Sequence, residues 1–155
     1  MSCKRLLQLL CLLCVISLPV LSCATRPVAT GPDDPLFGTW VSTQYDRPGS
    51  SWFAKKVIFP NGRELDFDHL SDTEPAAESR NSIGKAWIDA ESSHWYQIHI
   101  RLFTSQGSQI ERFALCRVNA QGTILEQLLG RFDYPDEMTS ADVNYAVYQR
   151  LDSSM

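Results

Sequence analysis

The chain has 155 residues, with 14 Lys and Arg against 18 Asp and Glu, for a formal charge of −4 at pH 7. An acidic balance of this kind excludes nucleic acid and an anionic lipid surface as main partners. Four of the five cysteines fall in the first 23 residues, so no intramolecular disulfide framework is expected beyond them.

At the N-terminus Lys4 and Arg5 precede an apolar run, 6–21, that contains Pro19 and ends at Ser22 and Cys23. A basic start, an apolar core too short to span a bilayer and a small residue at its end read as an export signal rather than a transmembrane helix. Val20-Leu21-Ser22-Cys23 also resembles the bacterial lipobox. That resemblance covers residues 1–23 only, and it implies a lipoprotein signal peptide over 1–22, cleavage before Cys23 and acylation of Cys23 with palmitate-type chains. The implied address is the bacterial cell envelope, lipid-anchored, at the outer membrane or periplasmic face rather than the cytoplasm. Two or three acyl chains on one cysteine hold a protein durably, since each buried methylene adds roughly 0.8 kcal/mol. Loss of Lys4 and Arg5 leaves 12 basic against 18 acidic residues, −6, and Cys116 as the one unmodified thiol.

Residues 23–36 carry Pro27, Pro32 and Pro35 with little apolar content and read as a lipidated cysteine with a stiff tether. Residues 37–151 are long enough for one cored domain, and 152–155 form a tail. Within the domain short apolar, β-branched and aromatic runs alternate with turn chemistry, and no window keeps a 3.6-residue period. Eight strands are predicted, over 37–45, 52–59, 63–69, 82–90, 93–103, 109–118, 123–129 and 143–151. Pro60-Asn61-Gly62 is the strongest turn, with 90–93 and 119–122 as weaker relatives. These three tight turns are the even-numbered connections, whereas 46–51, 70–81, 104–108 and 130–142 are odd-numbered and longer. In an up-and-down array all long loops therefore fall at one end. The predicted fold is all-β, an eight-stranded up-and-down antiparallel barrel with one elaborated mouth.

Gly38-Thr39-Trp40 near the start of the first strand resembles the G-x-W signature of lipocalins and lipocalin-like bacterial lipoproteins, and Tyr145-Ala146-Val147-Tyr148-Gln149-Arg150 is similar to the ending of such small barrels. The resemblance implies that Trp40 plugs the closed end with Arg150 lying across its ring, a cation–π contact worth about 0.5–2 kcal/mol. A cysteine pair and a helix after the strands are missing, so the resemblance bears on architecture more than on ligand.

No G-x-S-x-G, G-x-x-x-x-G-K-[ST] or H-E-x-x-H occurs, so no catalytic constellation, cofactor or metal is expected and the chain is not read as an enzyme. His94 and His99 point to opposite faces of a strand. Asp66, Asp68 and Asp72 have calcium-loop spacing, but Leu70 and Ser71 occupy positions that need a ligand and a glycine. Cys116 reads as a structural thiol. The strand aromatics either fill the barrel or line a pocket, and the candidate ligand-binding residues are Trp52, Trp87, Tyr96, Ile98, Ile100 and Tyr148. The expected function is carriage of a small apolar molecule. The alternative is a filled barrel whose rim loops, with Phe132, Tyr134 and Met138, bind an envelope protein as an assembly factor or inhibitor.

Overall fold

The computed structural model describes residues 26–27, 30–43, 53–70, 73–103 and 107–151. Among these, nine strands and no helix form: β1 (Arg26–Pro27), β2 (Gly38–Ser42), β3 (Lys55–Ile58), β4 (Arg63–Phe67), β5 (Ala77–Ile88), β6 (His94–Phe103), β7 (Gln109–Val118), β8 (Ile124–Gly130) and β9 (Tyr145–Arg150). Each strand from β2 to β9 pairs antiparallel with its successor, and β2 pairs with β9 through Trp40 opposite Arg150. The result is a closed eight-stranded up-and-down barrel. β1 lies outside it, along the far end of β5, with Arg26 opposite Ile88.

The period-2 pattern of each strand decides what fills the barrel. In β6, Tyr96, Ile98 and Ile100 are buried while Trp95, Gln97 and His99 between them are only partly covered, so the first set faces inward. Opposite them Ala114, Cys116 and Val118 of β7 also face inward, and with Leu36, Trp40, Ile58 and Leu125 they form the apolar core. That core occupies the half of the barrel nearest the three tight turns.

Those turns share one construction. Gly62, Ser92 and Gly122 each donate their N–H to the carbonyl three residues back, and each has a positive φ, at 80°, 64° and 71°. Asn61 does not, so the Asn-Gly turn is a type I turn closed by a left-handed fourth residue rather than the two-residue form. Connections at the opposite end are the long ones, so that end is the mouth.

Two expectations change. β5 begins at Ala77, not at residue 82, because Ala77-Glu78-Ser79-Arg80 pairs with Arg63 to Asp66 of β4. Small and charged residues hide this half of the strand from a hydrophobic pattern, yet Arg63 grips Glu78 from the facing strand at 3.0 Å and Ser79 is buried. Second, β5 carries a bulge at Gly84, where Ile83 pairs with Ile98 and Lys85 already with Gln97. One extra residue reverses the in–out parity of everything after it. A Cβ on Gly84 would come 3.1 Å from the Tyr134 hydroxyl, so glycine suits the close approach.

Candidate functional site

At the closed end the sequence pair meets. The Arg150 guanidinium lies 4.4 Å from the Trp40 ring centre, and Trp40 Nε1 donates to the Leu36 carbonyl at 2.9 Å. Arg150 also donates to the carbonyls of Gly122 at 2.6 Å, Phe37 at 3.1 Å and Pro35. Gly38 makes room for it, because a Cβ there would stand 2.5 Å from Arg150 Nη1 and its φ is +144°. Residues 34–36, read from sequence as tether, thereby belong to the base: Leu36 is buried and Asp34 accepts a hydrogen bond from the Tyr96 hydroxyl at 2.6 Å. Burial first, then this bond, raise the Tyr96 pKa far above the usual tyrosine range.

Above the apolar core sits a layer of charge that the sequence reading did not identify. Lys56 of β3 and Glu64 and Asp66 of β4 all point inward and are each no more than 4% exposed. Lys56 Nζ donates to Glu64 Oε1 at 2.7 Å and to Gln127 Oε1 at 3.0 Å, and stands 3.7 Å from Asp66 Oδ1. Glu64 also accepts from Asn81, whose amide oxygen accepts from Ser79. The ammonium lies 4.9 Å over the Tyr148 ring. Desolvation alone would lower the Lys56 pKa, but Glu64, Tyr148 and Asp66 together hold it well above the usual value. Asp66 goes the other way: burial pushes its carboxyl up to about 8, Lys56 opposes the shift and Glu64 adds to it. Two atoms of this layer, Asp66 Oδ1 and the Tyr148 hydroxyl, have no hydrogen-bond partner among the described residues.

This charged layer is the floor of a cavity of about 120 Å3 that opens at the mouth end. Its walls are Phe53, Ile100, Leu102 and Leu129, with Arg112 and Asn144 toward the rim. The volume is that of about four waters at roughly 30 Å3 each. A larger cleft of about 450 Å3 opens near the closed end, between the β3–β4 hairpin and the segment from Thr30 to Phe37.

The sequence candidates distribute unevenly over this geometry. Ile100 lines the mouth cavity, Ile98 lines the closed-end cleft, and Tyr96 and Tyr148 are fully packed. Trp87 does not face the interior; the Gly84 bulge turns it outward, where it stacks on Trp95 with ring centres 5.9 Å apart. Lys85 covers Trp87, Arg117 covers Trp95 and pairs with Glu126, and Tyr145 donates to Glu126, so a ladder crosses the outer face of five strands. Trp52 and Cys23 lie outside the described residues. His99 is on the outer face, stacked on Phe113 at 5.0 Å, and Tyr134 packs edge-on to the same ring. Cys116 is buried, and desolvation pushes its thiol up to about 12.

Lys56 and Glu64 were missed, and Asp66 was weighed only within a calcium-like spacing rather than as a buried group, because a hydrophobic pattern passes over inward-facing charge. The signal that finds them is register: Lys56 shares its face with Ala54 and Ile58, both buried. No family model, curated protein or solved structure matches this chain.

Proposed function

We propose that this chain is a lipid-anchored envelope protein, not an enzyme, whose barrel binds one small molecule with an apolar body in its mouth. The observation that carries the reading is the cavity of about 120 Å3 with apolar walls over a buried polar floor. Such a site needs no reacting group, only exclusion of water and one or two oriented polar contacts. The volume is well under the roughly 300 Å3 at which drug-sized sites begin, so the ligand is compact. Support for the anchor comes from the lipobox resemblance at Cys23 and from the N-terminal segment leaving the barrel at its closed end.

Native mass spectrometry of the protein extracted from membranes tests both parts at once. The expected spectrum has a mature mass beginning at Cys23 plus acyl chains, and a copurifying small compound lost on activation. An unacylated mass sinks the anchor; a ligand-free barrel from fresh membranes sinks the carrier.

One observation favours a second reading. Four of the large apolar side chains most exposed among the described residues stand at the mouth end: Leu70 at 49%, Phe103 at 46%, Phe132 at 81% and Val143 at 86%. Apolar tips on one rim suit a protein partner. Under that reading Phe132→Ser with Val143→Ser abolishes partner recovery and leaves ligand copurification intact.

A further inference from the structure

We propose that the mouth cavity takes a compact, uncharged molecule bearing a hydroxyl or amide, which donates to Asp66 Oδ1 while its short apolar stem lies against Ile100, Leu102 and Leu129. This rests on the ligand-binding reading above and narrows its chemistry. Asp66 carries the argument. Its side chain is 6% exposed, it lines the cavity, and its Oδ1 accepts no hydrogen bond from the described residues. A buried acceptor left unmade costs about 1–3 kcal/mol, which a donor placed in the cavity recovers. Lys56 does not meet that need, since it donates to Glu64 and Gln127 and its 3.7 Å separation from Oδ1 exceeds a hydrogen bond.

Charge selects the ligand class. The charged residues lining the cavity are Lys56 and Arg112 against Glu64 and Asp66, which balance once Asp66 is ionised, above about pH 8. An ion entering would surrender its hydration without meeting a net opposite charge, a loss a neutral donor avoids. A hydroxyl also accepts as well as donates. It therefore pairs with Asp66 in either protonation state, which matters for a carboxyl that titrates near 8.

Methyl NMR of the purified chain carrying Cys23→Ser, titrated at pH 9, where Asp66 is ionised, with 1-butanol, butylammonium or butyrate, tests this. Saturable shifts at Ile100, Leu102 and Leu129 are expected with butanol, at least fivefold tighter than with either ion. Asp66→Ala is expected to weaken butanol roughly tenfold, the loss of one hydrogen bond. Asp66→Asn, which keeps an oxygen at that position, should stay within threefold. Tighter binding of butylammonium or butyrate at the same methyls overturns the uncharged class and leaves the carrier reading standing. Silence from all three probes means the cavity holds only water and overturns both. Unchanged butanol affinity in Asp66→Ala removes Asp66 from the site.

Discussion

Arg150 does more than cover an indole. It ties the carbonyls of Pro35, Phe37 and Gly122 to one guanidinium, joining the N-terminal segment to the turn before β8. Arg150→Ala is expected to cost about 2–4 kcal/mol, combining the cation–π contact with carbonyls left to find water. Trp40→Ala should cost about 3–5 kcal/mol. A urea double-mutant cycle should show at least 0.5 kcal/mol of coupling between them; strict additivity would contradict the stacked geometry. At the other end of the barrel, Asp66 sets a pH dependence. Its carboxyl titrates at about 8 in the fold, where Lys56, Glu64 and Tyr148 surround it, against about 3.9 unfolded. Between those values the folded state binds a proton that the unfolded chain has released, so stability is greatest below about pH 4 as far as this group is concerned. It falls as pH rises and levels beyond about 8. Asp66→Asn should flatten that decline in urea midpoints measured from pH 5 to pH 9. A slope unchanged by the substitution would assign the dependence elsewhere.

The three closed-end turns show how far local chemistry determines an element. Gly62 and Gly122 fill the left-handed position in two of them, but Ser92 fills it in the third at φ 64°. A side chain there costs roughly 1–2 kcal/mol, partly offset by the extra backbone freedom a glycine loses on folding. Ser92→Gly should therefore raise stability by about 0.5 kcal/mol, read as an increase in the thermal midpoint; a decrease would mean that the Asp89 contacts depend on the serine. Asp89 accepts from the N–H groups of Glu91 and Ser93, which already pins the turn. Strand β7 is legible in the sequence to its last residue because Asn119 and Gly122 punctuate it and Ala114, Cys116 and Val118 fill its inner face toward the closed end. The first half of β5 is not legible, since Glu78 and Arg80 are stabilised by pairing with another strand rather than by any pattern of their own. The Gly84 bulge is likewise invisible locally: a lone glycine in a strand signals a bulge only once the register of the neighbour is known. That single residue separates Trp87 as a pocket residue from Trp87 as part of an outer ladder.

For the whole molecule, loop lengths carry the architecture and connectivity carries the orientation. The charged mouth layer escapes a sequence reading for the opposite reason, since Lys56, Glu64 and Asp66 acquire meaning only when the barrel closes around them. β1 lies against the closed-end half of β5, and Cys23 is three residues before Arg26, a span of at most roughly 10 Å. With the acyl anchor proposed above, the tight turns face the bilayer and the mouth faces the compartment. A fluorophore at the exposed position Thr139 should report water, whereas one at Asn61 or Gln121 should be quenched by bilayer-resident probes. Quenching in the reverse order would overturn this orientation.

The stitched base has a mechanical consequence. A segment that hung free from residue 23 to residue 37 would let the barrel swing about its mooring like a buoy. Instead, β1 lies alongside β5 and Arg150 of β9 holds the backbone at Pro35 and Phe37, so a pull on the proposed anchor would load β5 and β9 at the closed end. Under the proposed anchoring, the slack between bilayer and barrel would be no longer than the few residues ahead of Arg26, and the domain would stand on its membrane as a short post.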